Sequence, residues 1–114
     1  MENLKRFGTG ALRRPSENVP FNDVIQVPPA RPAERAIANH PSLKPQALMR
    51  LLVRASLPLG KGVVLDPFMG AGSTVAAATS LGLESVGVEL KPRYFSMARS
   101  AIPRLSQFLP VTKN

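Results

Sequence analysis

The sequence predicts an α/β fold, on three observations. Two short aliphatic runs, Val63-Val64-Leu65 and Ser85-Val86-Gly87-Val88, each end in an acid, Asp66 and Glu89. A small-residue stretch over 73–81, rich in alanine, lies between them and follows a Gly70-Ala71-Gly72 turn. A third segment from Pro92 places Tyr94, Phe95, Ala98 and Ile102 on one helical face. Strand, helix, strand and helix in that order imply two parallel strands joined by a crossover helix.

The first half is loop-rich, because most of the 12 prolines precede Lys61. Residues 1–22 read as irregular, broken by Gly8, Gly10, Pro15 and Pro20. Residues 23–27 read as one short strand, closed by Pro28-Pro29. A short turn or helix is expected over 34–39. Pro45 suits a first helical position, where the missing N–H costs nothing. Beyond it Leu48, Leu51, Leu52 and Ala55 fall at i, i+3, i+4 and i+7, with Gln46, Arg50 and Arg54 on the opposite face. That is an amphipathic helix ending near Leu57-Pro58.

The strand at 63–65 has no alternation, the pattern of a strand buried on both faces. Gly82 is placed to cap the helix over 73–81. The second strand spans 85–89. In the last helix Pro103 is expected to end or kink the chain, residues 104–109 to continue helically at most, and the last five residues to fray. The organisation is thus a loop-rich segment over 1–39, a helix–strand–helix–strand–helix region over 40–109, and a tail over 110–114.

Composition narrows the chemistry. The chain has 114 residues, no cysteine and one histidine, so it holds no disulfide, no thiolate site and no multi-histidine metal centre. No metal is expected. No secretory signal and no membrane-length apolar run are visible, and the chain reads as cytoplasmic. A formal charge of +8 suits a polyanionic partner such as nucleic acid.

The loop between Asp66 and Thr74 decides the ligand. Gly70 and Gly72 allow close backbone approach, and the helix that follows offers free N–H groups. A phosphate loop of Walker type needs Gly-Lys-Ser/Thr, but here Gly72-Ser73-Thr74 has no lysine. A dinucleotide loop needs a small third residue, but Val75 stands there. Asp66 adds negative charge where a pyrophosphate would lie, and instead favours a ligand with a cationic end. S-adenosylmethionine has an ammonium and a sulfonium. Glu89 would take its ribose hydroxyls, since a carboxylate accepts two O–H bonds at once. Phe68 and Leu90 offer apolar surface to its adenine.

These residues carry a family likeness. Asp66-Pro67-Phe68-Met69-Gly70-Ala71-Gly72-Ser73-Thr74 resembles the cofactor motif of the DNA amino-methyltransferases, which methylate the exocyclic amino group of adenine or cytosine. His40-Pro41-Ser42-Leu43-Lys44-Pro45 resembles that family's His-Pro-Thr/Ser-x-Lys-Pro motif, and Val86-Gly87-Val88-Glu89 with Tyr94-Phe95 its next element. The order is that of permuted members, in which the catalytic half comes first. The resemblance implies a partial Rossmann-like class I methyltransferase fold and an S-adenosylmethionine-dependent DNA methyltransferase of the kind found in restriction-modification systems. Its cofactor-binding residues would be Ser42, Lys44, Asp66, Phe68, Gly70, Gly72, Ser73, Glu89 and Leu90, with Lys44 on the carboxylate of the methionine end. His40 is given no catalytic role; a histidine before a proline more often packs or caps.

The family's catalytic Asp/Asn/Ser-Pro-Pro-aromatic motif is absent. Val27-Pro28-Pro29-Ala30 lacks both flanking residues, and Asp66-Pro67-Phe68 lacks the second proline. No catalytic residue is therefore assigned. The expectation is the cofactor-binding part of such an enzyme, inactive and poorly stable alone, with double-stranded DNA and a separate or missing N-terminal catalytic half as partners. A non-catalytic module binding S-adenosylmethionine or nucleic acid, and a decayed remnant, are the alternatives.

Overall fold

The computed structural model describes residues 12–19, 21–22 and 24–110. Much of the segment read as irregular, the start of the strand expected over 23–27, and the tail over 111–114 lie outside the described residues.

Six elements follow in order: α1 (Pro32–Ile37), α2 (Gln46–Ser56), β1 (Val63–Asp66), α3 (Ser73–Ser80), β2 (Glu84–Gly87) and α4 (Pro92–Gln107). β1 and β2 pair in parallel, in the register Val63–Glu84, Val64–Ser85, Leu65–Val86 and Asp66–Gly87. The pairing extends one step past the strands. The Val88 N–H donates to the Asp66 carbonyl, and the Met69 N–H donates to the Val88 carbonyl, both at 2.9 Å. This draws the start of the glycine loop over the end of β2.

α3 crosses between the strands and packs on one face of the sheet, with α2 and α4 on either side of it. Val53 of α2 and Ala77 and Ala78 of α3 form one core cluster with Val64 and Leu83. A second joins Ala76, Ala101 and Leu105 to Ala30, Ala38 and Leu43. Alanines make this possible, because three helices meet closely where no long side chain intervenes. α3 ends as expected at Gly82, φ +71°. The Gly82 N–H donates to the Thr79 carbonyl and the Leu83 N–H to the Ala78 carbonyl, a Schellman closure.

Several expectations are corrected. The described residues over 24–27 form no strand, because no second strand lies beside them to take up their N–H and C=O groups. The helix expected over 34–39 begins earlier, at Pro32. α2 begins at Gln46, with Pro45 outside it in extended conformation. α4 runs through Pro103 to Gln107; the carbonyl left without a donor lies on the exposed Arg99, where water can serve it. On α4 the buried residues are Ala98, Ala101 and Leu105, while Phe95 faces outward.

The strands are not buried on both faces either. Val63, Leu65, Val86 and Val88 alternate with covered residues and are each between 50 and 64 % exposed. The apolar run of β1 is therefore covered on one face only among the described residues.

The polar side of α2 is the larger surprise. Gln46 is completely buried, and Leu52 of the predicted apolar face is exposed. Buried Glu34 accepts the Gln46 N–H at 2.8 Å and the Arg31 N–H at 3.1 Å, and so caps both α2 and α1. Gln46 Nε2 donates to the Ser73 carbonyl at 2.9 Å. Arg50 Nε donates to Gln46 Oε1, and its Nη2 reaches the carbonyls of Leu105, Ser106 and Phe108 at the end of α4. Burial pushes the Arg50 guanidinium below its ordinary pKa, opposed by the Glu34 carboxylate; an arginine remains charged regardless. One polar lock thus joins four helices. No helix among the described residues is long and apolar enough to cross a membrane.

Candidate functional site

At the carboxyl ends of β1 and β2 the chain forms an open cleft of about 390 Å³. Small-molecule sites typically hold ~300–1,000 Å³. Ser42 and Lys44 enter it from the segment before α2, Leu48, Met49 and Leu52 from α2, and Asp66 from β1. Phe68 to Ala71 and Ser73-Thr74 form the rest of the wall, with His40.

The loop is held by its own acid. Asp66 Oδ1 accepts the Phe68 N–H at 3.0 Å across Pro67, an Asx turn that sends the chain sharply off the strand. Gly72 accepts no side chain. Its φ is +86°, and a Cβ there would stand 2.5 Å from Ile102 Cγ1 and 3.4 Å from Ala98 Cβ. Gly72 thus serves the packing of the loop against α4. The N-terminus of α3 carries no side-chain cap, so its first N–H groups remain available to a ligand in the cleft.

Glu89 reaches the loop from the other side. Its Oε1 accepts the Gly70 N–H at 3.1 Å and its Oε2 the Lys91 N–H at 3.1 Å. Each oxygen keeps a second lone pair.

Of the nine residues predicted to bind the cofactor, six line this cleft together: Ser42, Lys44, Asp66, Phe68, Gly70 and Ser73. Glu89 is bonded to the loop behind Gly70. Gly72 faces α4. Leu90, 92 % exposed, is not among the lining residues. Phe68 lines the cleft yet is 88 % exposed, a ring with nothing yet packed on it. Sequence reasoning missed Leu48, Met49, Leu52 and Thr74 as cleft residues. The signal was present for the leucines, which lie on the apolar stripe of α2.

The sequence matches the DNA methylase family model of N6/N4 type over residues 4–100. The chain belongs to the N6/N4 DNA methylase family. It is 37 % identical over 81 residues to the DNA adenine methyltransferase YhdJ of Escherichia coli strain K12, covering 71 % of this chain and 27 % of that protein. It is 33 % identical over 69 residues to the type II methyltransferase M2.DpnII of Streptococcus pneumoniae, covering 60 % of this chain and 25 % of that one. Among solved structures, the M1.HpyAVI–SAM complex superposes with a TM-score of 0.65 at 27 % identity, over 81 % of this chain and 43 % of that chain.

The chain therefore spans about a quarter of the length of these curated relatives. The α/β class and the methyltransferase likeness expected from the sequence are borne out. No group of three or more His, Asp or Glu residues that could hold a metal occurs among the described residues.

Proposed function

We propose that this chain holds S-adenosylmethionine for an N6/N4 DNA methyltransferase and that other residues, on a joined or separate polypeptide, present the target base. The observation that carries the reading is the cleft, where two sequence motifs 22 or more positions apart (Lys44 to Asp66) meet at an uncapped helix N-terminus. Its chemistry fits the molecule. Asp66 favours the cationic methionine end, while Lys44 and the first turn of α3 favour its carboxylate. The free lone pairs of Glu89 suit ribose hydroxyls, and Phe68 and Leu52 supply apolar surface for the adenine.

When bound, the cofactor supplies an electrophilic methyl group for transfer to an exocyclic amino nitrogen of DNA. This chain's residues would orient that group and leave one side of it open. The acceptor side needs a polar residue and an aromatic to hold a base taken out of the stack, and the sequence has no Asp/Asn/Ser-Pro-Pro-aromatic motif to provide them. The bare sheet face supports the same division. Val63, Leu65, Val86 and Val88 form an apolar strip beside two unpaired strand edges, a surface that further strands and helices of the enzyme would cover. Double-stranded DNA, in the cytoplasm, is the proposed substrate of the completed enzyme, and the positive charge of the chain suits it.

The test is reconstitution. The purified chain alone should transfer no methyl group to DNA. Mixed with a polypeptide carrying the catalytic half of a family member, it should restore transfer, and Asp66→Ala should abolish that gain. Turnover by the chain alone would contradict the division of labour.

A further inference from the structure

We propose that His40 is a positioning residue for the cofactor loop: its imidazole braces Gly70 and fixes the Ser42–Lys44 turn, so losing its Nδ1 acceptor weakens cofactor binding. The inference rests on the reading of the cleft as an S-adenosylmethionine site. Three contacts converge on the ring. His40 Nδ1 accepts the Ser42 N–H at 3.0 Å. That nitrogen accepts only when unprotonated, which leaves the proton on Nε2. The Cε1–Nε2 edge stands 3.1 Å from where a Cβ on Gly70 would lie, so the ring closes against the bare Cα of a residue at φ +54°. The ring of Tyr94, in the first turn of α4, meets the imidazole at 4.3 Å between centroids and 62° between planes.

Gly70 is consequently gripped from two sides. Glu89 takes its N–H, and His40 occupies the space a side chain would need. The same imidazole sets the turn that carries Ser42 and Lys44 into the cleft. One ring thereby joins both motifs of the site, which no hydrogen bond between them does among the described residues.

Without the Nδ1 acceptor the Ser42 N–H loses its partner. The turn is then free to open, and the Ser42–Lys44 segment is no longer tied to the ring that rests on Gly70.

The test is calorimetric titration of the full chain with S-adenosylmethionine for the wild type, His40→Phe and His40→Asn. Phenylalanine keeps a ring against Gly70 but has no acceptor. Asparagine keeps an acceptor for the Ser42 N–H in an Asx turn. His40→Phe should bind roughly tenfold more weakly than the wild type, the equivalent of about one lost hydrogen bond, and His40→Asn should bind more tightly than His40→Phe. Wild-type binding by His40→Phe, or binding by His40→Asn no tighter than by His40→Phe, would overturn the proposal. Absence of binding by the wild type would sink the cofactor reading instead. His40 is then decided by amide exchange at Ser42 without cofactor, which should be faster in His40→Phe than in the wild type and His40→Asn; equal exchange in all three overturns it.

Discussion

The two faces of the β1–β2 sheet are finished to different degrees. On the α3 face, Val64 packs with Ala77, Ala78 and Val53, and every buried side-chain nitrogen and oxygen among the described residues has a hydrogen-bond partner. On the other face Val63, Leu65, Val86 and Val88 stand in the open. The two strands, with Val88 just past β2, supply both. The difference separates two duties: the helical side is packed against the loop end of the site, whereas the other side is left open among the described residues. Stability should therefore depend on the polar lock and hardly at all on the strip.

Removing the lock breaks this comparison hardest. Glu34→Ala leaves the Arg31 and Gln46 N–H groups without their acceptor, and should cost ~2–4 kcal/mol at about 1–3 kcal/mol per stranded group, less what water recovers; urea unfolding reads it. Gly72→Ala forces a side chain into Ile102 at a backbone angle that disfavours it. It should cost ~1–3 kcal/mol, the range for overpacking, and loosen the loop without touching the cleft wall. The double variant Leu65→Thr, Val86→Thr should change stability by no more than about 0.5 kcal/mol while raising solubility. A loss comparable to that of Glu34→Ala would mean the strip is already covered in solution, and the contrast between the faces would collapse.

The contrast also explains what could be read from the sequence. Val63-Val64-Leu65-Asp66 and the alanines of α3 declare their elements locally, because strand and helix periods are properties of adjacent residues. The motif around Asp66 and the one around Lys44 are each legible in a few positions, and six of the nine residues expected from them line one cleft. What failed depended on partners distant in sequence. The segment at 24–27 has strand composition but no strand to pair with. Gln46 and Arg50 look like a solvated stripe, and only the approach of Glu34, Ser73 and the end of α4 buries Gln46 and partly covers Arg50. A trace was visible: Glu34 stands three residues after Arg31 with Pro32 between, the placement of an acid that returns to its own helix start. Gly72 was grouped with Gly70 because both belong to one motif, yet the turn between them points one at the cleft and the other at Ile102.

The central claim, that this chain carries a complete methyl-donor site without the acceptor site, is tested most directly by titrating the purified chain with S-adenosylmethionine and repeating the titration with Asp66→Ala and Glu89→Ala. The account predicts one saturable site in the wild type and at least about tenfold weaker binding in each variant, the loss of one charge-assisted contact, with the helical circular dichroism unchanged. A folded wild-type chain giving no saturable heat, or both variants binding as the wild type does, would contradict it.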